Sequence, residues 1–317
     1  MLDDARILAA LRGERTAAEV CAAAGVTPAE FAAARDAYLQ RSLPPTELRL
    51  SGGVRGPLDI LRDRYGVPHV YARETPDLWY GLGLAMAQDR LWQMDWFRRR
   101  GLGRLAEVLG PRYVASDVAH RTLALDRIAD DEVERASEET RAVLAAFVAG
   151  VNRGIEATLA HLPVEFAILG YEPEPWTARD VLAALRGFWW SLNGRLQSIV
   201  AGEAAERHLP AGPPRDAFLT PEFPEERIVP PGSPYPPAGL TPAPAPAGAD
   251  GGATGSNNWA VGRGRTPTGA GILGSDPHQP FMLPANWYEC RLSGPEDNVV
   301  GAAWAGVPGV WFGRNRR

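Results

Sequence analysis

Apolar residues recur with two different periods along this chain, and the change falls near residue 256. Ahead of it they recur at helical spacing; behind it they alternate residue by residue. Ile7, Leu8 and Leu11 make one short apolar face, and Ala17–Ala24 a second, stopped by Gly25. Thr27-Pro28-Ala29-Glu30 reads as a capping box with proline in the first turn, opening a third helix over 31–39. Pro44-Pro45 closes this module. Residues 57–62 and Pro68–Ala72 flank Asp63-Arg64-Tyr65-Gly66-Val67, which predicts two short strands around a turn. Thr75-Pro76 starts a long helix to Arg100, with Leu78, Leu82, Ala85, Met86 and Trp92 on one face and Gln88-Asp89-Arg90 on its polar side. Gly101 and Gly103 interrupt it before residues 105–109 continue.

Ser137 opens a further helix, with Glu138 and Glu139 at its positive end and Val143, Leu144, Phe147, Val148, Val151 and Ile155 in one stripe. Residues 163–175 read as a loop with turn chemistry at Gly170. Thr177-Ala178-Arg179-Asp180 caps another helix running towards His208, whose Phe188, Trp189 and Trp190 read as core. A proline-dense tract follows over 210–255; such chain lacks the periodicity to build a core and is expected to be extended or without order. Beyond it, short strands are predicted around 259–261, 272–274, 287–292, 299–304 and 310–313. The organisation is thus a helical appendage (1–45), a mainly helical segment (46–209), a proline-rich spacer (210–255) and the opening of a sheet (256–317), an α+β chain.

Composition narrows the chemistry. The formal net charge is −5, which makes no electrostatic case for nucleic acid or an anionic membrane. Lysine is absent, so a Ser-Lys dyad, a Schiff base and a P-loop lysine are excluded within this chain. Cys21 and Cys290 make neither a disulfide framework nor a metal pattern and read as small buried hydrophobes. The first residues are acidic, no apolar leader follows, and no stretch is expected to span a bilayer, which points to the cytoplasm.

The border at Gly255-Ser256-Asn257-Asn258-Trp259-Ala260-Val261 carries the chemistry. A serine behind a proline-rich tract and in front of a strand is placed as a self-cleaving precursor requires. Breaking the Gly255–Ser256 bond frees an α-amine, with an ordinary pKa of about 8, beside the serine's own hydroxyl. Taken alone, Ser256 reads as a turn serine before a strand, and His278, after Asp276-Pro277, as a loop residue.

Several separate stretches resemble the penicillin acylase family. Ser256 to Val261, Asp276-Pro277-His278, Trp287-Tyr288 and Gly309-Val310-Trp311-Phe312-Gly313-Arg314-Asn315 are similar to the opening of its β subunit. Asp63-Arg64-Tyr65-Gly66-Val67-Pro68-His69-Val70-Tyr71-Ala72 and Ala87-Gln88-Asp89-Arg90-Leu91-Trp92-Gln93-Met94 resemble its α subunit. Order and spacing agree over residues 54–317, and residues 1–45 lie outside the likeness.

The resemblance implies an N-terminal-nucleophile hydrolase, a four-layer αββα sandwich made as one precursor that excises a spacer and becomes an α/β heterodimer. It implies hydrolysis of linear amides, such as β-lactam side chains or acyl-homoserine lactones, with no cofactor for catalysis. Ser256 takes the place of the nucleophile, and His278 that of the residue contacting the nucleophile's amine. Leu192, Leu196 and Phe312 fall on the acyl pocket, and Gln279 replaces a pocket phenylalanine of the penicillin G enzymes. Glu203 falls, with a one-residue shift, near a ligand of structural calcium. The family's oxyanion donors lie past Arg317, so this length of chain is expected to be inactive alone. A competing reading is a scaffold or regulator whose helical N-terminus binds DNA or a partner. A metal hydrolase built on His69, Asp276 and His278 lacks any ligand-spacing motif.

Overall fold

The computed structural model describes residues 2–45, 47–193, 195–219, 256–279, 282–296 and 298–315, and the side chains of 195–198 also lie outside the description. In chain order it contains α1 (Asp4–Leu11), α2 (Ala17–Ala24), α3 (Pro28–Arg41), β1 (Leu58–Arg62), β2 (Pro68–Ala72), α4 (Thr75–Leu102), α5 (Ala106–Leu109), α6 (Val114–Thr122), α7 (Leu125–Arg135), α8 (Glu138–Thr158), α9 (Val164–Leu169), α10 (Ala178–Ser191), α11 (Arg195–His208), α12 (Pro213–Leu219), β3 (Ser256–Val261), β4 (Ile272–Pro277), β5 (Trp287–Ser293), β6 (Asn298–Trp304) and β7 (Phe312–Arg314). They fall into two units, Met1–Trp190 with Phe281–Arg317, and Ser191–Pro280, each described by itself.

In the first unit, α1 to α3 form the expected appendage. Reciprocal capping boxes at Thr16/Glu19 and Thr27/Glu30 satisfy the first N–H groups of α2 and α3, and Gly25 ends α2 in the left-handed region. Val20, Cys21 and Phe31 make a small core of their own. Arg12 donates to the Ala167 carbonyl (2.7 Å), and Gln88 to that of Pro45 (3.0 Å), joining the appendage to the body. The arginines of α3 are engaged locally, Arg35 with Asp36 and Arg41 with Asp4, which leaves little charge for a DNA backbone.

The body is a sheet in the order β1-β2-β5-β6-β7, antiparallel except where β2 meets β5 in parallel. α4 packs on it and α8 packs on α4. The core gathers Leu78, Leu82, Met86 and Leu91 of α4, Phe147 and Val151 of α8, and Cys290, Leu292 and Ala303 from the strands. By length and composition Glu138–His161 could cross a membrane, against expectation. Its Leu144, Phe147, Val151 and Ile155 are instead buried in this core.

The structure departs from the sequence reading in three more places. The helix expected to run to His208 is two, α10 and α11, with Leu192 and Asn193 outside both. Order continues past residue 209: Pro213 and Pro214 open α12, where a missing N–H leaves no intrahelical bond unmade, and Asp216 N bonds Gly212 O at 3.0 Å. The rest of the tract, 220–255, lies outside the described residues. Helices α6, α7 and α9 occupy stretches for which the pattern predicted none.

Candidate active site

The second unit contains a hairpin of β3 and β4, in register from Ser256 opposite Pro277 to Val261 opposite Ile272. This register gives each residue at the 256 border a partner. Asn258 accepts from the Ser275 hydroxyl at 2.9 Å. Trp259 lies across Gly274, where a Cβ would come within 2.2 Å of the indole, so that position takes glycine. Asn257 faces Asp276, and its side-chain nitrogen stands 3.3 Å from His278 Nε2. The same Nε2 is 3.0 Å from the Asp276 carboxylate. Strand alternation puts Asn257, Asp276 and His278 on one face and the Ser256 side chain on the other. Ser256 is the first residue of its strand, and its backbone stands beside this cluster.

The structure therefore brings Ser256 and His278 to the same end of one hairpin. Asn257 and Asp276 join them; the sequence signal for Asp276 was its spacing of two from His278 on a strand. Gln279 follows His278 and is half-buried. Leu192 is 55% exposed in the same unit. The backbone of Leu196 lies in α11, and its side chain is outside the described residues. Phe312 belongs to the first unit, edge-on to Trp287 with ring centroids 4.7 Å apart, and Trp287 in turn meets Phe188, Trp304 and Trp311 edge-on.

Glu203 lies on α11 in the second unit. Its carboxylate pairs with Arg207 on an exposed helix face, and no group of three metal-ligating side chains occurs among the described residues. Calcium requires six or more oxygens, so the residues described here do not fit it. His69 stands 3.7 Å from Asp63 in the first unit. Burial pushes the Cys290 thiol up to about 12, which removes it as a nucleophile.

The α-subunit-like motif has a structural explanation. Asp89 accepts from Tyr288 (2.6 Å) and Arg62 (2.7 Å), while Arg62 also donates to Gln88 (3.2 Å). Burial first, and then the Asp89 charge, hold the Tyr288 phenol far above its ordinary pKa. Arg90 leaves helical geometry (φ −138°, ψ 17°) and donates to the Ala285 carbonyl at 2.9 Å, while Gln93 bonds those of Pro284 and Ala285. Gln88 and Asp89 thus hold α4 to β1 and β5, and Arg90 and Gln93 hold it to the loop ahead of β5.

The family model for penicillin amidase matches residues 57–317. The chain is 36% identical over 283 residues to penicillin acylase 2 proenzyme of Pseudomonas sp. (strain SE83), covering 86% of this chain and 36% of that protein. It is 31% identical over 295 residues to acyl-homoserine lactone acylase QuiP of Pseudomonas aeruginosa, covering 86% and 34%. Among solved structures, a thermostable penicillin G acylase from Alcaligenes faecalis aligns with a TM-score of 0.46 at 30% identity, covering 57% of this chain and 98% of that one. The chain spans about a third of the length of these two sequence relatives. With its α+β architecture and a match that runs from β1 through Ser256 to Arg317, the chain belongs to the penicillin amidase family.

Proposed function

We propose that the complete protein is a self-processing amide hydrolase with Ser256 as nucleophile. In maturation, the Ser256 hydroxyl attacks the Gly255 carbonyl, the acyl group shifts from nitrogen to oxygen, and water cleaves the ester. The products are a Gly255 carboxylate and a free α-amine on Ser256. In turnover, that amine takes the hydroxyl proton as Oγ attacks the substrate carbonyl. The proton passes to the departing nitrogen as the C–N bond breaks, and water then hydrolyses the acyl ester. His278 orients the amine. The two products of maturation remain together as a heterodimer.

The observation that carries this reading is the position of Ser256 at the first residue of β3, opposite Pro277 and beside His278, inside a family match that continues on both sides of it. The relatives named above act on penicillins and acyl-homoserine lactones, which supports a linear amide as substrate; Gln279 and Phe312 are the proposed selectivity positions. The test is N-terminal sequencing and intact mass of the full-length protein. Wild type should give a chain beginning at Ser256, and Ser256→Ala one unprocessed polypeptide. An alanine variant still cut at residue 256 would mean that a separate protease does the cutting.

A further inference from the structure

Two neighbours press on one nitrogen of His278. Asp276 brings a carboxylate oxygen to 3.0 Å from Nε2, and Asn257 brings its side-chain amide to 3.3 Å from the same atom. A neutral imidazole nitrogen either donates or accepts, and an ionised carboxylate can only accept. Nε2 therefore carries the proton and donates to Asp276, and the Asn257 amide turns its oxygen towards the ring. This leaves Nδ1 with the lone pair. The geometry is built into the hairpin: Asp276 is two residues from His278 on the same strand face, and the register fixes Asn257 opposite Asp276.

We propose that Asp276 is a positioning residue for the hydrolytic site. It locks His278 as the Nε2–H tautomer, so that Nδ1 is the acceptor offered to the α-amine freed on Ser256. This rests on reading Ser256 as the nucleophile. The proton balance closes without another group. The Oγ–H proton moves to the amine as the Oγ–C bond forms. The resulting ammonium donates one N–H to Nδ1, which holds it in place. The ammonium then returns one proton to the leaving nitrogen as the C–N bond breaks. Without Asp276 the imidazole can adopt the Nδ1–H tautomer, which presents a donor to a donor. A well-placed proton-transfer group contributes about 10²–10⁴-fold to rate, and misorienting one forfeits part of that.

The test compares Asp276→Asn and Asp276→Glu with wild type in the full-length protein, using simple acyl amides as substrates. Asp276→Asn should lower kcat roughly tenfold or more with little change in KM, and Asp276→Glu should recover part of the loss. The second readout is the 15N spectrum of histidine-labelled protein in the unprocessed Ser256→Ala background, with His278 assigned by its substitution with Gln. The background protein should show Nε2–H, and adding Asp276→Asn should shift the population towards Nδ1–H. An Nδ1–H tautomer before that change, or an unchanged tautomer and kcat after it, overturns the proposal. If Asp276→Asn blocks maturation, the tautomer readout alone decides. Failure of the parent reading appears differently, as cleavage of Ser256→Ala at residue 256 while His278 still responds to Asp276.

Discussion

Asp95 is fully buried and serves two arginines at once: its oxygens accept from Arg98 Nε (2.6 Å) and Arg99 Nε (2.8 Å), and Tyr171 donates a third bond at 2.8 Å. Burial, then the nearby Asp95 charge, raise the Tyr171 pKa. Removing one partner of a buried charge pair leaves the others uncompensated, at about 3–5 kcal/mol. Asp95→Asn should lower stability by that order in urea unfolding, whereas the exposed pair Arg35–Asp36 should be worth less than about 1 kcal/mol. His120 makes a pH-dependent counterpart. Its Nδ1 bonds the Ser116 carbonyl at 2.8 Å, and its Nε2 is buried without a partner among the described residues. Burial, with a smaller contribution from Arg100, lowers its pKa from an ordinary 6.5. As pH falls below about 6.5 the unfolded chain takes up a proton that the folded chain refuses, so stability drops until the folded pKa is passed. His120→Gln should flatten that part of the Tm-against-pH curve; an unchanged slope would mean that His120 titrates normally. Neither residue was legible as special in the sequence, because a carboxylate or imidazole on a polar-looking helix turn carries no mark of what will cover it.

At the scale of elements, the crossing of α4 and α8 depends on missing side chains. A Cβ at Gly150 would lie 1.9 Å from the Tyr80 carbonyl oxygen, and one at Gly83 2.2 Å from that of Phe147. Backbone cannot rotate aside as a side chain does, so the helices would have to part. Gly150→Ala should cost about 1–3 kcal/mol in chemical denaturation. Gly262→Ala is the control: φ is −65° and nothing lies within 4 Å of the added carbon, so its effect should stay within about 1 kcal/mol and favour the folded state. Equal losses in the two would show that helix approach does not set the cost at Gly150. The strong periodicities of α4 and α8, the capping box of α3, the strands β1 and β2 around their turn, and the strands β5 and β6 were readable from sequence because each spans enough residues to display a face or a motif; the capping box of α2 was not read there. α6 and α7 were not, since residues 114–135 bury few apolar side chains, Leu125 and Ala129 among them, and are held by polar contacts such as Asp117 to the Leu105 and Ala106 amides. The hairpin contacts of Asn257, Asp276 and His278 were hidden for another reason: they depend on a register that strand propensity does not fix.

For the whole molecule, the sheet sets the consequence of cutting the chain at Ser256. β1 and β2 precede that bond and β5 to β7 follow it, yet all five belong to one sheet. The seam is the parallel pair in which His69, Val70 and Tyr71 face Arg291, Leu292 and Ser293. It is reinforced by Tyr288 to Asp89, Arg90 to Ala285 O, and the Gly306 amide to the Met86 sulfur. Leu82 and Met86 from one side share a single core with Cys290, Leu292 and Ala303 from the other. Parting the two pieces would expose this core to water at about 25 cal/mol for each Å² of apolar surface, a cost characteristic of obligate interfaces. The cleaved protein should therefore elute as one species in native gel filtration at micromolar concentration and separate into two chains only in denaturant. Tyr288→Phe should bring dissociation to lower urea, because Asp89 loses its bond from across the seam, and hydrogen bonds to charged groups contribute about 1.5–3 kcal/mol. Spontaneous separation of the wild-type pieces in native buffer would show that the shared sheet does not hold after cleavage, and that the backbone connection had been maintaining the assembly.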